Sequence, residues 1–330
     1  MFNPKKIYKV ARKLNKTIVF PEASFSERIV EAGKIIRDKK IANVIFVGDE
    51  SNLILKYKNL KNITIINPKT SDIRQEIEDL IFEKRQAKGI TRKKARELSY
   101  DPIYFATMLV EMGIADGMVA GAETATSDSL RPALQLIKGK DEGYVSSCNI
   151  IFGKHKVLGK ERTLVIGDSG LNVDPSANEL MQVASNMADF AKNVCNISPK
   201  VAMLSFSTHG SAVTSETKKV AQATELLKNK RPDLVCDGEI QLDAAICPKV
   251  AEIKCPESPL KGNANVLVFP ELQSGNICYK AIERFGNLKS FGPIVLGLNK
   301  PVNDLSRGCT VEDIIMVTAL TVMQTGGENK

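Results

Sequence analysis

The sequence predicts an α/β protein built on mainly parallel sheets. Three observations carry this: short β-rich runs alternate with longer helical patterns, the alternation occurs in both halves, and 330 residues suffice for about two domains. In the first half, Thr17 to Phe20, Asn43 to Val47, Ile63 to Ile66 and Asp116 to Ala120 read as strands. Ser26 stands as the N-cap of a helix to Asp38, with Ile29, Ala32, Ile35 and Ile36 on one stripe. Asp101-Pro102 supplies N-cap and N1 residues for a helix to Met112. The second half offers Thr163 to Ile166, Val201 to Phe206, Leu234 to Asp237, Asn265 to Phe269 and Ile294 to Leu298 as strands. Helices are expected from about Pro175 to Cys195, capped by Asp174, from about Val213 to Lys230, and from Val311 to Gln324. The polar, turn-rich Gly139-Lys-Asp-Glu-Gly143 marks a domain boundary. Too little chain follows the last helix to found a new domain, so that helix is expected to pack back on one of the two.

Composition narrows the function classes. With 43% hydrophobic and 25% charged residues the chain is an ordinary globular protein. Met1 to Phe20 carries several lysines and no apolar core, unlike a secretory signal, and no apolar run approaches the length of a membrane span; a cytoplasmic enzyme is expected. The net charge is +8, but lysines such as Lys218, Lys219, Lys228 and Lys230 are scattered along helices rather than gathered with aromatics, and Trp is absent. This describes a basic surface that steers small polyanions, not a nucleic-acid face. The seven cysteines show no Cys-x-x-Cys spacing, which fits reduced thiols. Two histidines, His155 and His209, cannot build a multi-histidine metal site.

Several motifs fail on inspection. Gly153-Lys-His-Lys-Val-Leu-Gly159-Lys160-Glu161 has the wrong glycine spacing for a phosphate loop, and Glu161 stands where Ser or Thr must ligate magnesium. No Gly-x-Gly-x-x-Gly follows a strand. Ser207-Thr208-His209-Gly210 could form a site loop but lacks a nucleophile elbow.

Other segments survive. Asn299-Lys-Pro-Val-Asn-Asp-Leu-Ser-Arg-Gly-Cys-Thr-Val-Glu-Asp313 places Ser306, Arg307 and Asp313 across a loop that opens a helix at Thr310. Helix N-termini favour anions and developing oxyanions, and an arginine adds a bidentate donor, so the segment suits charge stabilisation on an acyl or phosphoryl oxygen. Capping by Thr310 and Asp313 is the competing explanation. Four more segments place small, hydroxylic and charged residues after a strand, at 120–132, 167–175, 205–211 and 269–280. In α/β sheets ligands gather at the carboxyl ends of strands, where such loops converge.

In this order the segments resemble the phosphate acetyl/butyryl transferases, and within them the acetyl-transferring members. The resemblance runs from Phe20-Pro-Glu22 to the final helix. It is most specific at Ser127-Asp-Ser-Leu-Arg-Pro-Ala-Leu-Gln135, at Gly275-Asn276 with Tyr279-Lys280, and at Pro301-Val-Asn-Asp-Leu-Ser-Arg-Gly308. It implies two three-layer α/β domains with a cleft between them, an architecture like that of isocitrate and isopropylmalate dehydrogenases. The implied domains are 1–143 plus 299–330 and 144–298, in a homodimer. The implied reaction is acetyl-CoA + phosphate ⇌ CoA + acetyl phosphate, by direct attack in a ternary complex. Its partners would be those small molecules alone, with no metal, no cofactor and no covalent enzyme intermediate.

By the same resemblance Asp313 matches the base for the CoA thiol, Ser306 the serine near the reacting carbonyl, and Arg307 the arginine that binds phosphate or polarises the carbonyl. An ordinary Asp has a pKa near ~3.9 and a thiol one of about 8.5, so such a base needs burial to oppose the helix dipole. Arg131, preceding Pro132, is expected to begin a helix and hold phosphate oxygens. Lys280 and Arg284 share a helix face four residues apart. Ser127, Asp128 and Asn276 complete the implied substrate-binding set. Thr124-Ala125-Thr126 departs from the His-Thr-Thr run of many relatives, without touching Asp128 or Arg131. Three alternatives stay open: butyryl transfer, a non-catalytic acyl-CoA-sensing domain, and a nicotinamide-dependent dehydrogenase whose metal would need Asp233, Asp237 and Asp243.

Overall fold

The structure, a computed structural model, describes residues 4–137, 139, 143–154, 161–286 and 288–326. The centre of the boundary run at 140–142 and most of the phosphate-loop-like stretch, with His155, lie outside the described residues. In chain order the elements are α1 (Pro4–Leu14), β1 (Thr17–Phe20), α2 (Glu27–Asp38), β2 (Asn43–Val47), α3 (Glu50–Lys56), β3 (Thr64–Ile66), α4 (Arg74–Arg85), α5 (Arg92–Ser99), α6 (Pro102–Glu111), β4 (Gly117–Ala120) and α7 (Thr126–Leu136). There follow β5 (Ser146–Lys154), β6 (Glu161–Gly167), α8 (Ala177–Asn193), β7 (Lys200–Leu204), α9 (Ser215–Lys230), β8 (Val235–Ile240), α10 (Leu242–Ile246), α11 (Pro248–Lys254), β9 (Val266–Val268), α12 (Leu272–Gly286), β10 (Lys289–Leu296), β11 (Val302–Asp304) and α13 (Val311–Thr325). They divide into two compact units, one of Gly143–Gly297 and one of Asn3–Glu142 with Leu298–Lys330.

The discontinuous unit is built on a five-stranded sheet in the order β11-β4-β1-β2-β3, every pair parallel. Ile18, Val19 and Phe20 of β1 are fully buried, as a strand covered on both faces requires. Helix α6 opens as its sequence indicates, with the Asp101 carboxylate accepting from the Ile103 and Tyr104 amides ahead of Pro102. Helix α13 packs against α1, α2 and β4 and buries Ile314 through Val322. Asn303 and Asp304, turn formers by propensity in a segment expected to be a loop, belong to the buried strand β11, whose register sets Asp304 opposite Ala120. Burial of Asn303 is offset by hydrogen bonds from its amide to Thr321 Oγ1 (2.8 Å) and Gln324 Oε1 (2.6 Å).

The other unit has a mixed six-stranded sheet, ordered β10-β5-β6-β9-β7-β8. The β6, β9, β7 and β8 neighbours are parallel, while β5 runs antiparallel to both β6 and β10. Helix α8 starts later than expected. Ser176, not Asp174, is its N-cap, in a reciprocal capping box with Glu179, and Asp174 instead pairs with Lys219 at 2.6 Å.

Candidate active site

Three parallel neighbours of the discontinuous unit, β1, β4 and β11, end side by side, and the loops leaving them, with the helices α7 and α13 that two of these loops open, carry most of the sequence-predicted residues. The loop after β1 supplies the fully buried Glu22. Its carboxylate accepts from the amides of Ala122 (2.8 Å), Glu123 (3.0 Å) and Thr124 (3.0 Å) and from the Thr124 hydroxyl (2.8 Å). One side chain thereby satisfies three consecutive donors and holds the post-β4 loop in one shape. Arg28, on the first turn of α2, spans the remaining distance. Its Nη1 donates to the carbonyls of Arg307 (3.0 Å) and Cys309 (2.6 Å), and its Nη2 to the Ala122 carbonyl (2.6 Å) and Glu123 Oε1 (2.9 Å). Its hydrogen bond holds the Glu123 carboxyl below the usual carboxylate range.

The post-β11 loop is therefore fixed through its backbone while its side chains stay open. Ser306 is exposed, and among the described residues its Oγ accepts only a 3.3 Å bond from the Gly308 amide. Arg307 is exposed, and among the described residues its guanidinium forms no ion pair. The expected helix start is present: Thr310 caps α13, and Asp313 Oδ2 accepts from the Thr310 amide and hydroxyl, both at 2.8 Å. Asp313 thus fills the capping role that competes with catalysis, and among the described residues its side chain accepts through Oδ2 alone.

On the neighbouring helix α7, Ser127 and Asp128 are exposed in the first turn. Arg131 pairs with Asp128 at 3.3 Å, both more than half exposed, so the pair contributes little stability and its charges remain available. Arg131 does not begin the helix. The helix opens five residues earlier and accommodates Pro132 in its interior, forgoing the bond that a residue there would give the Asp128 carbonyl.

Asn276, Lys280 and Arg284 lie on α12 of the other unit. Asn276 Nδ2 donates to the Ser169 carbonyl at 3.0 Å, and the absence of a Cβ at Gly275 lets α12 press on the Asp168 backbone. Lys280 and Arg284 are exposed cations one helical turn apart. The Asp168 loop is stiffened by its own carboxylate, which accepts from the amides of Gly170, Leu171 and Asn172 and from Ser147.

The Ser207–Gly210 loop and the three aspartates of the dehydrogenase alternative resolve into structural pairs. Ser207 Oγ donates to Glu239 at 3.0 Å, whereas His209 Nε2 meets Asp237 at 3.1 Å, so the serine and histidine are not coupled. Asp233, Asp237 and Asp243 each have a different partner, Arg231, His209 and Lys254. Among the described residues no cluster of His, Cys, Asp and Glu could hold a metal ion.

Comparison with known proteins decides the family. The model of the family "Phosphate acetyl/butaryl transferase" matches residues 2–322. The chain belongs to this family. Within it, the chain is 43% identical over 323 residues to the phosphate acetyltransferase of Clostridium acetobutylicum, covering 96% of this chain and 97% of the relative. It is 44% identical over 320 residues to that of Bacillus subtilis, with 96% of each covered. A solved structure, a phosphotransacetylase from Streptococcus pyogenes, superposes with a TM-score of 0.89 at 41% identity, covering 97% of this chain and 98% of that one. Within the family frame, Glu22, Arg28 and Asp304 are the residues that the sequence reading left without a role. Their partners lie 94 to 281 positions away, and Asp304 itself sits in a strand whose residues are turn formers by propensity, so no local spacing announces them.

Proposed function

We propose that the protein is a phosphate acetyltransferase, transferring an acetyl group reversibly between CoA and inorganic phosphate. Family membership over nearly the whole chain, among relatives bearing that name, supports this reading. The observation that carries the chemistry is the post-β11 loop, where a backbone clamped by Arg28 presents an open serine and an uncommitted guanidinium ahead of an aspartate at a helix N-terminus.

In the acetyl-CoA-forming direction, Asp313 Oδ1 takes the proton of the CoA thiol. The thiolate attacks the carbonyl of acetyl phosphate, phosphate leaves with the C–O bonding pair, and the proton passes from Asp313 to the departing phosphate, directly or through solvent, which restores the carboxylate. Arg307 balances charge on the acyl or phosphoryl oxygens, helped by the α13 N-terminus, while Ser306 donates to the carbonyl oxygen. Arg131, with Ser127 and Asp128 beside it, and Asn276, Lys280 and Arg284 serve the anionic parts of CoA and phosphate. The remaining proposals are the isocitrate/isopropylmalate dehydrogenase type of architecture with domains 1–143 plus 299–330 and 144–298, a homodimer in the cytoplasm, and turnover without metal, cofactor or covalent intermediate. Among the described residues no helix is long and apolar enough to cross a membrane.

The test is thioester formation from acetyl phosphate and CoA by EDTA-treated protein, with butyryl phosphate in parallel. Rapid acetyl transfer is expected. Preference for butyryl phosphate would move the assignment to the sister activity, and binding of acetyl-CoA without transfer would make the protein a sensor. Arg307→Ala is expected to lower kcat or raise the phosphate KM at least about tenfold, or ~1.4 kcal/mol, with little change in Tm. Wild-type kinetics in that variant would remove Arg307 from the site.

A further inference from the structure

Asp304 is the most unusual acidic residue of the discontinuous unit. It ends β11, two positions before Ser306, with no solvent exposure. Its Oδ2 accepts a 2.7 Å bond from the hydroxyl of Thr126, the first residue of α7. Among the described residues its Oδ1 has no hydrogen-bond partner of good geometry, which leaves a buried acceptor that normally costs about 1–3 kcal/mol. The backbone closes over this oxygen. Gly121 holds a positive φ of 96°, and a Cβ there would collide with Asp304 Oδ1 and with the Leu305 amide and carbonyl.

These contacts join two segments that the proposed chemistry needs in register. The start of α7 carries Ser127, Asp128 and Arg131, and the loop after β11 carries Ser306 and Arg307. Arg28 and Glu22 hold the post-β4 and post-β11 loops through backbone groups, whereas the Asp304–Thr126 bond pins the first turn of α7 itself to the end of β11. We propose that Asp304 is a positioning residue, which through Thr126 sets the placement of Arg131 and Asp128 relative to Ser306 and Arg307. This rests on the acetyl-transfer reading of the same site. Its action is indirect, because a side chain without exposure does not itself reach substrate.

Thr126→Val removes the bond while nearly keeping shape and avoids a cavity at the strand. Expected is a fall in kcat of about tenfold with the KM values of CoA and acetyl phosphate within about threefold of wild type, at unchanged circular dichroism. Asp304→Ala should show the same split, and Thr126→Val/Asp304→Ala should be no slower than the worse single variant, since both remove one bond. Asp304→Asn, which keeps a carbonyl acceptor for Thr126, should restore kcat to within about threefold. Wild-type kcat in Thr126→Val overturns the proposal, as does a loss confined to KM or losses that multiply in the double variant. If the wild-type protein itself forms no acetyl-CoA, the acetyl-transfer reading fails; the coupling between Thr126 and Asp304 then remains measurable as a non-additive change in Tm.

Discussion

Asp313→Asn is expected to lower kcat by about 10²–10⁴, the range lost when a positioned general base is removed, while leaving α13 capped. The two roles of Asp313 separate cleanly in this variant. As a capping residue it uses one oxygen, Oδ2, to accept from the Thr310 amide and hydroxyl, and an asparagine carbonyl can accept the same two bonds. What the fold loses is one negative charge at a helix N-terminus, about 0.3–1 kcal/mol. What the proposed reaction loses is a proton acceptor, because a neutral amide cannot take a thiol proton at neutral pH. Kinetics and melting on the same preparation check this. A large fall in kcat with a small fall in Tm supports base catalysis. Intact turnover would leave Asp313 a capping residue only. Asp313→Ala is the companion variant, since it also dismantles the capping box at a further cost of about 1 kcal/mol in stability.

The local setting of Ser306, Arg307 and Asp313 is legible in the sequence, and the buried supports of their loop are not. Ser306, Arg307 and Asp313 are announced by local chemistry, a turn-rich stretch followed by a capping pattern, and the structure places them on a loop and helix start of that kind. β1 and β2 occupy the residues expected of them, because uninterrupted apolar runs buried on both faces have few other fates. β5 escaped because it begins Ser146-Ser147-Cys148-Asn149, a polar opening that resembles a loop until its burial is seen. Ser147 bonds to Asp168, and Asn149 accepts from Ser169 at 2.6 Å, partners about twenty residues away. β11 escaped for the same reason, since Asn303 and Asp304 are turn formers by propensity and strand residues only by tertiary context. Arg131 was placed on the right helix but at its start, because proline is usually an N1 residue and here sits inside. Local propensity is thus a sound guide to a residue whose partners are near in sequence or are solvent. It fails where a buried polar group is satisfied from a distant strand.

Asp304 gives that failure a measurable size. Burial pushes its carboxyl up to about 6; the Thr126 and Ser129 hydroxyls and the Leu305 amide oppose the rise, and the Glu22 carboxylate adds to it. The unfolded chain should titrate near the ordinary value of 3.8, so between those values the folded state binds the proton that the unfolded state has released. Stability from this group is therefore fully present below about pH 4 and is lost as pH rises through about 6. The loss is about 3 kcal/mol at neutral pH, from roughly two units at 1.36 kcal/mol each. Asparagine does not titrate, so all other pH effects largely cancel in the difference between Asp304→Asn and wild type. That difference should grow in favour of the asparagine variant by about 3 kcal/mol between about pH 4 and pH 7.5, read as a widening gap in Tm or denaturation midpoint. A gap that stays constant with pH would mean that the Asp304 carboxyl is solvated like an exposed one and is not sealed behind Gly121. A gap that widens as stated, together with the kcat loss expected of Thr126→Val, would show that the chain carries a destabilising buried acid at the point where α7 is held in register with the Ser306–Arg307 loop.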